Sequence, residues 1–81
     1  MNFVYVLKSQ KDDKRYIGLT NNLEKRLALH NCGKVTATKN RRPFKLIYFE
    51  EFLDRSEAAK REKFFKTGKG REFLKGKLIA L

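Results

Sequence analysis

The chain is sparing with several residue types. It has one cysteine, one proline, one histidine and no tryptophan. A lone Cys32 excludes an internal disulfide and any cysteine-cluster zinc site, and such usage fits a reducing cytoplasm. The longest unbroken apolar run is Phe3–Leu7. That is far short of the roughly 20 residues of a membrane span or the roughly 7–15 of a signal-peptide core. Acidic residues are scarce as well: 9 Asp and Glu stand against 20 Lys and Arg, a net charge of +11. Such an excess repels itself, which points to a polyanionic partner. With Pro43 as the only proline, no repeat and no low-complexity tract, nothing marks a linker, and residues 1–81 read as one domain. Leu, Ile, Val and Phe make up about 28% of the 81 residues, above the roughly 20% below which a highly charged chain stays disordered.

What is present organises into short elements. Phe3–Leu7 alternates in a way that suits a strand buried on both faces. Residues 10–14 are polar turn material, and Arg15–Thr20 resumes β-branched and aromatic character, so the first twenty residues read as a β-hairpin. Gly18 inside the second arm marks a close backbone approach or a bulge. Asn21 to Glu24 has the form of a capping box, Asn21 as cap. The helix that follows carries Leu23, Leu27 and His30 on one face and ends near Cys32, with Gly33 just beyond. Residues 33–43 form a loop with Lys34, Lys39, Arg41 and Arg42 and no acid. Phe44–Phe52 is a third strand. Asp54–Glu57 reads as a second capping box, opening a helix to about Lys66 that Gly68 stops. Gly70–Leu81 reads as a basic amphipathic helix with Phe73, Leu74 and Leu78 inward. The order is ββαβαα, an α+β fold with a three-stranded antiparallel sheet flanked by helices.

Five side chains break these patterns. At 100° per residue Glu62 falls about 40° from Ala58, inside the apolar stripe of its own helix. A carboxylate there needs a cation or a metal; the plainer choice is an ion pair with Lys66 one turn on. Glu57 is accounted for by its capping box. Arg26 and His30 lie one turn apart beside the Leu23/Leu27 stripe. Taken singly they read as a solvated charge and a satisfied histidine; together they place the only histidine beside an arginine suited to phosphate. Tyr5 and Tyr16 fall on the two arms of the hairpin, side by side if the turn spans Gln10 to Asp12, and strand tyrosines commonly just pack. Gly18 would bare the backbone next to them. These residue types suit phosphodiester hydrolysis, which needs a base, a cation on the developing phosphorane charge and help for the leaving oxygen. One carboxylate can hold Mg²⁺ if water and substrate phosphate complete the octahedron.

In these positions the sequence resembles the GIY-YIG endonuclease superfamily over nearly its whole length. Val4-Tyr5-Val6 stands at the first triplet and Tyr16-Ile17-Gly18 is the second triplet intact. Arg26 follows Tyr16 by ten residues, His30 follows Arg26 by four, and Glu57-Ala58 with Glu62 resembles the family's EAxxxE segment. The chain is similar to short single-domain bacterial members related to the nuclease domain of the repair excinuclease, a likeness that points towards DNA repair. The resemblance implies metal-dependent hydrolysis of DNA, more than RNA, with one Mg²⁺ or Mn²⁺ held by Glu62. It gives Tyr16 the part of base or water-positioner, Tyr5 that of its assistant, Arg26 the phosphorane and His30 proton transfer. Two departures stand out: Val4 replaces the first triplet's glycine, and Leu19 stands where the excinuclease branch has a lysine. The rival expectations are a nucleic-acid-binding module of the same fold without useful catalysis, and a basic protein docking on a ribosome. Nucleic-acid contacts are expected from the loop bases Lys34, Lys39, Arg41 and Arg42 and from Lys60, Arg61, Lys63, Lys69 and Arg71, to phosphates rather than bases. A monomer that meets no membrane, with specificity lent by DNA structure or a protein partner, completes the expectation.

Overall fold

β1 (Asn2–Ser9) is apolar on both sides, and that places it in the middle of the sheet. Val4 and Val6 point to one face, Tyr5 and Leu7 to the other, and all four are buried. In this computed structural model, which describes residues 1–79, β1 is flanked by β2 (Arg15–Thr20) and β3 (Phe44–Phe52). The strand order is β2-β1-β3 and both pairings are antiparallel. Helices α1 (Leu23–Asn31), α2 (Arg55–Phe65) and α3 (Gly68–Ile79) complete the expected ββαβαα order.

The two faces of the sheet carry different helices. Val4 and Val6 pack with Ala58 and Phe65 of α2 and Leu74 of α3. Tyr5 and Leu7 pack with Phe44 and, from α1, Leu23 and Leu27. Phe65 and Leu74 are fully buried, so Phe65→Ala would cost about 3–5 kcal/mol. Val4 belongs to the α2/α3 core, on the face opposite Tyr5.

Element ends differ from the sequence reading in four places. The cap of α1 is Asn22, not Asn21: its backbone is extended and its side chain accepts the Lys25 N–H at 3.1 Å. Thr20 Oγ1 accepts the Asn22 N–H at 3.1 Å, so the end of β2 holds the cap one residue later. Asp54 caps α2 through the Ser56 N–H, but Glu57 pairs forward with exposed Lys60 at 3.5 Å rather than reaching back. Gly68 opens α3 instead of stopping α2, which ends at Phe65 with Lys66 as its cap. Gly70 is the glycine the corner needs, because a Cβ there would collide with the Phe64 carbonyl. The loop 33–43 is not irregular throughout: Lys39–Arg41 forms a 3-10 turn. Gly33 sits at φ +82°, as a helix-ending glycine should. The last two residues of the anticipated final helix, 80 and 81, lie outside the described residues. No helix among the described residues is long and apolar enough to cross a membrane.

Candidate active site

Register creates the space for the site. Tyr5 lies directly across from Gly18, and Tyr16 across from Leu7. The two tyrosines are therefore diagonal neighbours on one face, with ring centroids 6.5 Å apart. A Cβ at Gly18 would strike the Tyr5 ring and hydroxyl. The missing side chain of Gly18 is what lets the Tyr5 ring lie over the strand. The close approach expected at Gly18 is thus a side chain, Tyr5, packed against bare backbone.

Helix α1 adds the next two groups at i and i+4, the spacing that puts side chains on one face. Arg26 Nε donates to the Tyr5 hydroxyl at 3.4 Å, and that hydroxyl lies 2.9 Å from His30 Nε2. His30 Nδ1 is 2.7 Å from Thr38 Oγ1, which donates to the Val35 carbonyl at 3.4 Å. The Val35 end of this chain sets its direction, since a carbonyl only accepts and Thr38, having given its one proton there, must take one from His30 Nδ1. Arg26 gives to Tyr5, Tyr5 gives its proton to His30 Nε2, His30 Nδ1–H gives to Thr38, and Thr38 gives to Val35. His30 is thereby held as the neutral Nδ1–H tautomer. Tyr5, His30 and Thr38 are almost completely buried.

Electrostatics agree with this direction. Burial, followed by the Arg26 charge, lowers the His30 pKa below its ordinary value. Burial raises that of Tyr5, outweighing the opposing pull of Arg26. The hydrogen bond to Tyr5 pushes the Arg26 guanidinium still higher. Tyr5 is therefore a neutral donor locked between two partners. Tyr16 is half-buried, and its ring stands 5.0 Å from that of His30. Of the two tyrosines it is the one with a face to solvent.

Glu62 comes from α2, on the far side of the sheet, yet its charge reaches Tyr5 and contributes to the raised pKa there. Its carboxylate meets Lys66 Nζ at 3.3 Å, with the Glu62 side chain 24% exposed. Among the described residues no group of three or more His, Cys, Asp or Glu is arranged to hold a metal. One half-buried carboxylate does not make the closed cage of a structural zinc. It does fit Mg²⁺ or Mn²⁺, hard ions that keep several waters and take substrate phosphate as ligand.

The expected nucleic-acid contacts divide. Lys34, Lys39, Lys63, Lys69 and Arg71 are exposed and take part in no ion pair among the described residues. Arg61 is engaged elsewhere: it clamps Glu50 through two nitrogens at 2.8 and 3.2 Å. Its guanidinium also lies 4.7 Å from the rings of both Phe65 and Phe73. Arg41 is tied into the hairpin turn by Asp12 at 3.0 Å and stacks over Phe44. Arg42 donates to the Lys39 carbonyl at 2.9 Å. Charge composition shows that such residues are present but not which distant acid or ring will occupy them. Thr38 is silent in the sequence for a related reason, since nothing in its spacing from His30 marks a partner. It is delivered by Asn31, whose side chain clamps the Phe44 backbone on both sides, at 2.7 and 3.1 Å, and so draws the loop back over α1.

A β-hairpin offering two tyrosines, a first helix offering arginine and histidine and a second offering glutamate define a catalytic domain of one class. The GIY-YIG catalytic domain matches residues 1–75, and the chain belongs to that family. Within it the chain is similar to UPF0213 proteins. One from Clostridium perfringens is 52% identical, over 82% of this chain and 71% of its own length. Another from Staphylococcus haemolyticus is 45% identical over 91% of this chain and 90% of its own. The solution NMR structure of a UPF0213 protein from Bacillus halodurans superposes with a TM-score of 0.57 at 31% identity, covering 94% of this chain and 84% of that one.

Proposed function

We propose that this protein is a metal-dependent endonuclease that hydrolyses phosphodiester bonds in DNA. The observation that carries the reading is the Tyr5 hydroxyl fixed between Arg26 and His30 with the accessible Tyr16 beside it. A packing role would require none of that buried polar chain. Arg26, half-buried and oriented by Tyr5, binds the scissile phosphate and meets the charge that grows on the phosphorane. Tyr16 orients the attacking water, whose proton is lost to solvent as the oxygen bonds to phosphorus. Tyr5 holds Arg26 in place, and His30 Nε2, kept unprotonated at neutral pH, is the acceptor behind Tyr5. Glu62 would hold a divalent ion, which when bound neutralises charge at the phosphate and the leaving oxygen.

Nicking of supercoiled plasmid DNA tests this, with Mn²⁺ or with chelator, for the wild type and Arg26→Lys. Metal-dependent nicks are expected from the wild type, and a loss of at least about a hundredfold in the lysine variant, because an ammonium cannot span two phosphate oxygens. Nicking that is indifferent to chelator, or an Arg26→Lys protein as active as the wild type, would overturn it. The same assay run on RNA decides between the two nucleic acids.

A further inference from the structure

β2 is an edge strand, and its outer side together with α3 bounds an open groove of about 700 Å³. One wall of the groove carries Lys14 and Arg15, the other Lys66, Arg71 and Lys75. Among the described residues its only acid is Asp13, which lies 3.9 Å from Lys8. Lys14, Arg15, Arg71 and Lys75 are exposed and take part in no ion pair among the described residues. The floor is apolar, formed by Tyr16, Ile17 and Leu74.

Two walls of one sign facing each other across an apolar floor repel at short range and concentrate a positive field between them. The arrangement is relieved by an anion extended along the groove. Arg71 and Lys75 are one helical turn apart on the same side of α3, a pair that engages successive charges rather than a single one. The groove is also continuous with the candidate active site. Tyr16 belongs to both, and Lys66 holds Glu62. We propose that this groove binds the nucleic-acid backbone on one side of the scissile phosphate, so that the footprint runs from Tyr16 around the free edge of β2 towards α3. The proposal rests on the nuclease reading for the identity of the anion. Of the contacts expected from the sequence it keeps Arg71. It adds Lys14, Arg15, Lys66 and Lys75, which come together from opposite ends of the chain.

The test is binding of a fluorescein-labelled DNA duplex to the full chain in chelator, by anisotropy over a range of salt concentrations. Arg71→Gln/Lys75→Gln, which keeps helix propensity, is compared with Lys45→Gln/Arg55→Gln, which removes the same charge from an exposed surface away from the groove. The groove pair should reduce the slope of log K against log salt by about two and weaken binding at least about tenfold at ~0.1 M salt. Adding Arg15→Gln from the opposite wall should remove about one further unit. The Lys45/Arg55 pair should leave the slope within about half a unit of wild type. Equal losses from the two pairs would overturn the groove and leave only diffuse charge. Poly-glutamate competing as well as DNA of equal charge would overturn the nucleic-acid occupant in favour of an acidic protein partner. A protein that binds through the groove but nicks nothing keeps this proposal and loses the nuclease reading. One that nicks DNA and is indifferent to the groove variants does the reverse.

Discussion

The Tyr5 hydroxyl lies 2.9 Å from His30 Nε2, and it is the donor in that bond. The assignment follows from Thr38, which gives its one proton to the Val35 carbonyl and so takes the Nδ1 proton of the neutral ring, leaving Nε2 as the acceptor. The central strand and the first helix are thereby joined by a buried polar chain.

Thr38 is what fixes the tautomer. Thr38→Val keeps the shape but leaves the buried His30 Nδ1–H without an acceptor, at a cost of about 1–3 kcal/mol. The ring then gains by moving its proton to Nε2, which deprives the buried Tyr5 O–H of its acceptor, and DNA cleavage should fall at least about tenfold. Nitrogen NMR of the histidine ring separates this from simple loosening. The wild type and Thr38→Ser should show the Nδ1–H form, and Thr38→Val the Nε2–H form. An unchanged tautomer in Thr38→Val would contradict the proposed chain.

His30 also makes folding depend on pH. Its folded pKa is depressed, so between that value and the ordinary value of about 6.5 the unfolded chain binds the extra proton. Stability from this group is complete above about 6.5 and falls as pH drops through the window, by at most about 1.4 kcal/mol per pH unit. Denaturant midpoints at successive pH values between neutrality and mild acid should show the decline, and His30→Gln should flatten it. A slope of the opposite sign in the wild type would refute the neutral histidine.

Arg61 should behave as a structural residue. Its clamp on Glu50 helps hold the Glu50 carboxylate below its usual range against the opposing effect of burial. The same short network pushes Tyr48 up to about 12, chiefly by burial and then by its bond to Glu50. Arg61→Ala should cost about 2–3 kcal/mol, since it leaves Glu50 without its cation and uncovers three phenylalanine rings. It should leave the salt dependence of DNA binding unchanged. A stable Arg61→Ala protein with a flatter salt slope would return Arg61 to the nucleic-acid surface.

The strands and their order are legible in the sequence because local signals agree with the tertiary outcome. Phe3–Leu7 is apolar on both sides and forms the central strand, and Gly18 marks a close approach, which is that of the Tyr5 ring. Glu62 is legible as a carboxylate in an apolar stripe, and the Lys66 partner at i+4 is there. Helix ends are less legible, because Asn21 and Asn22 are equal as caps until the end of β2 selects one. Gly68 reads as a stop because glycine ends helices more often than it begins them. Contacts between distant segments have no local signature. Glu50–Arg61, Asp12–Arg41 and His30–Thr38 are set by how β3, the hairpin turn and the loop meet, and in each at least one partner looks ordinary in its own surroundings.

Glu62→Gln separates metal-dependent cleavage from DNA binding. The substitution preserves shape while removing the charge that would hold the divalent ion. The measurement is the rate of plasmid nicking in saturating Mn²⁺ beside DNA affinity in chelator, for wild type and variant. Nicking is predicted to fall at least about a thousandfold while affinity changes less than about threefold. A folded Glu62→Gln protein that nicks DNA at the wild-type rate would contradict the metal-dependent mechanism.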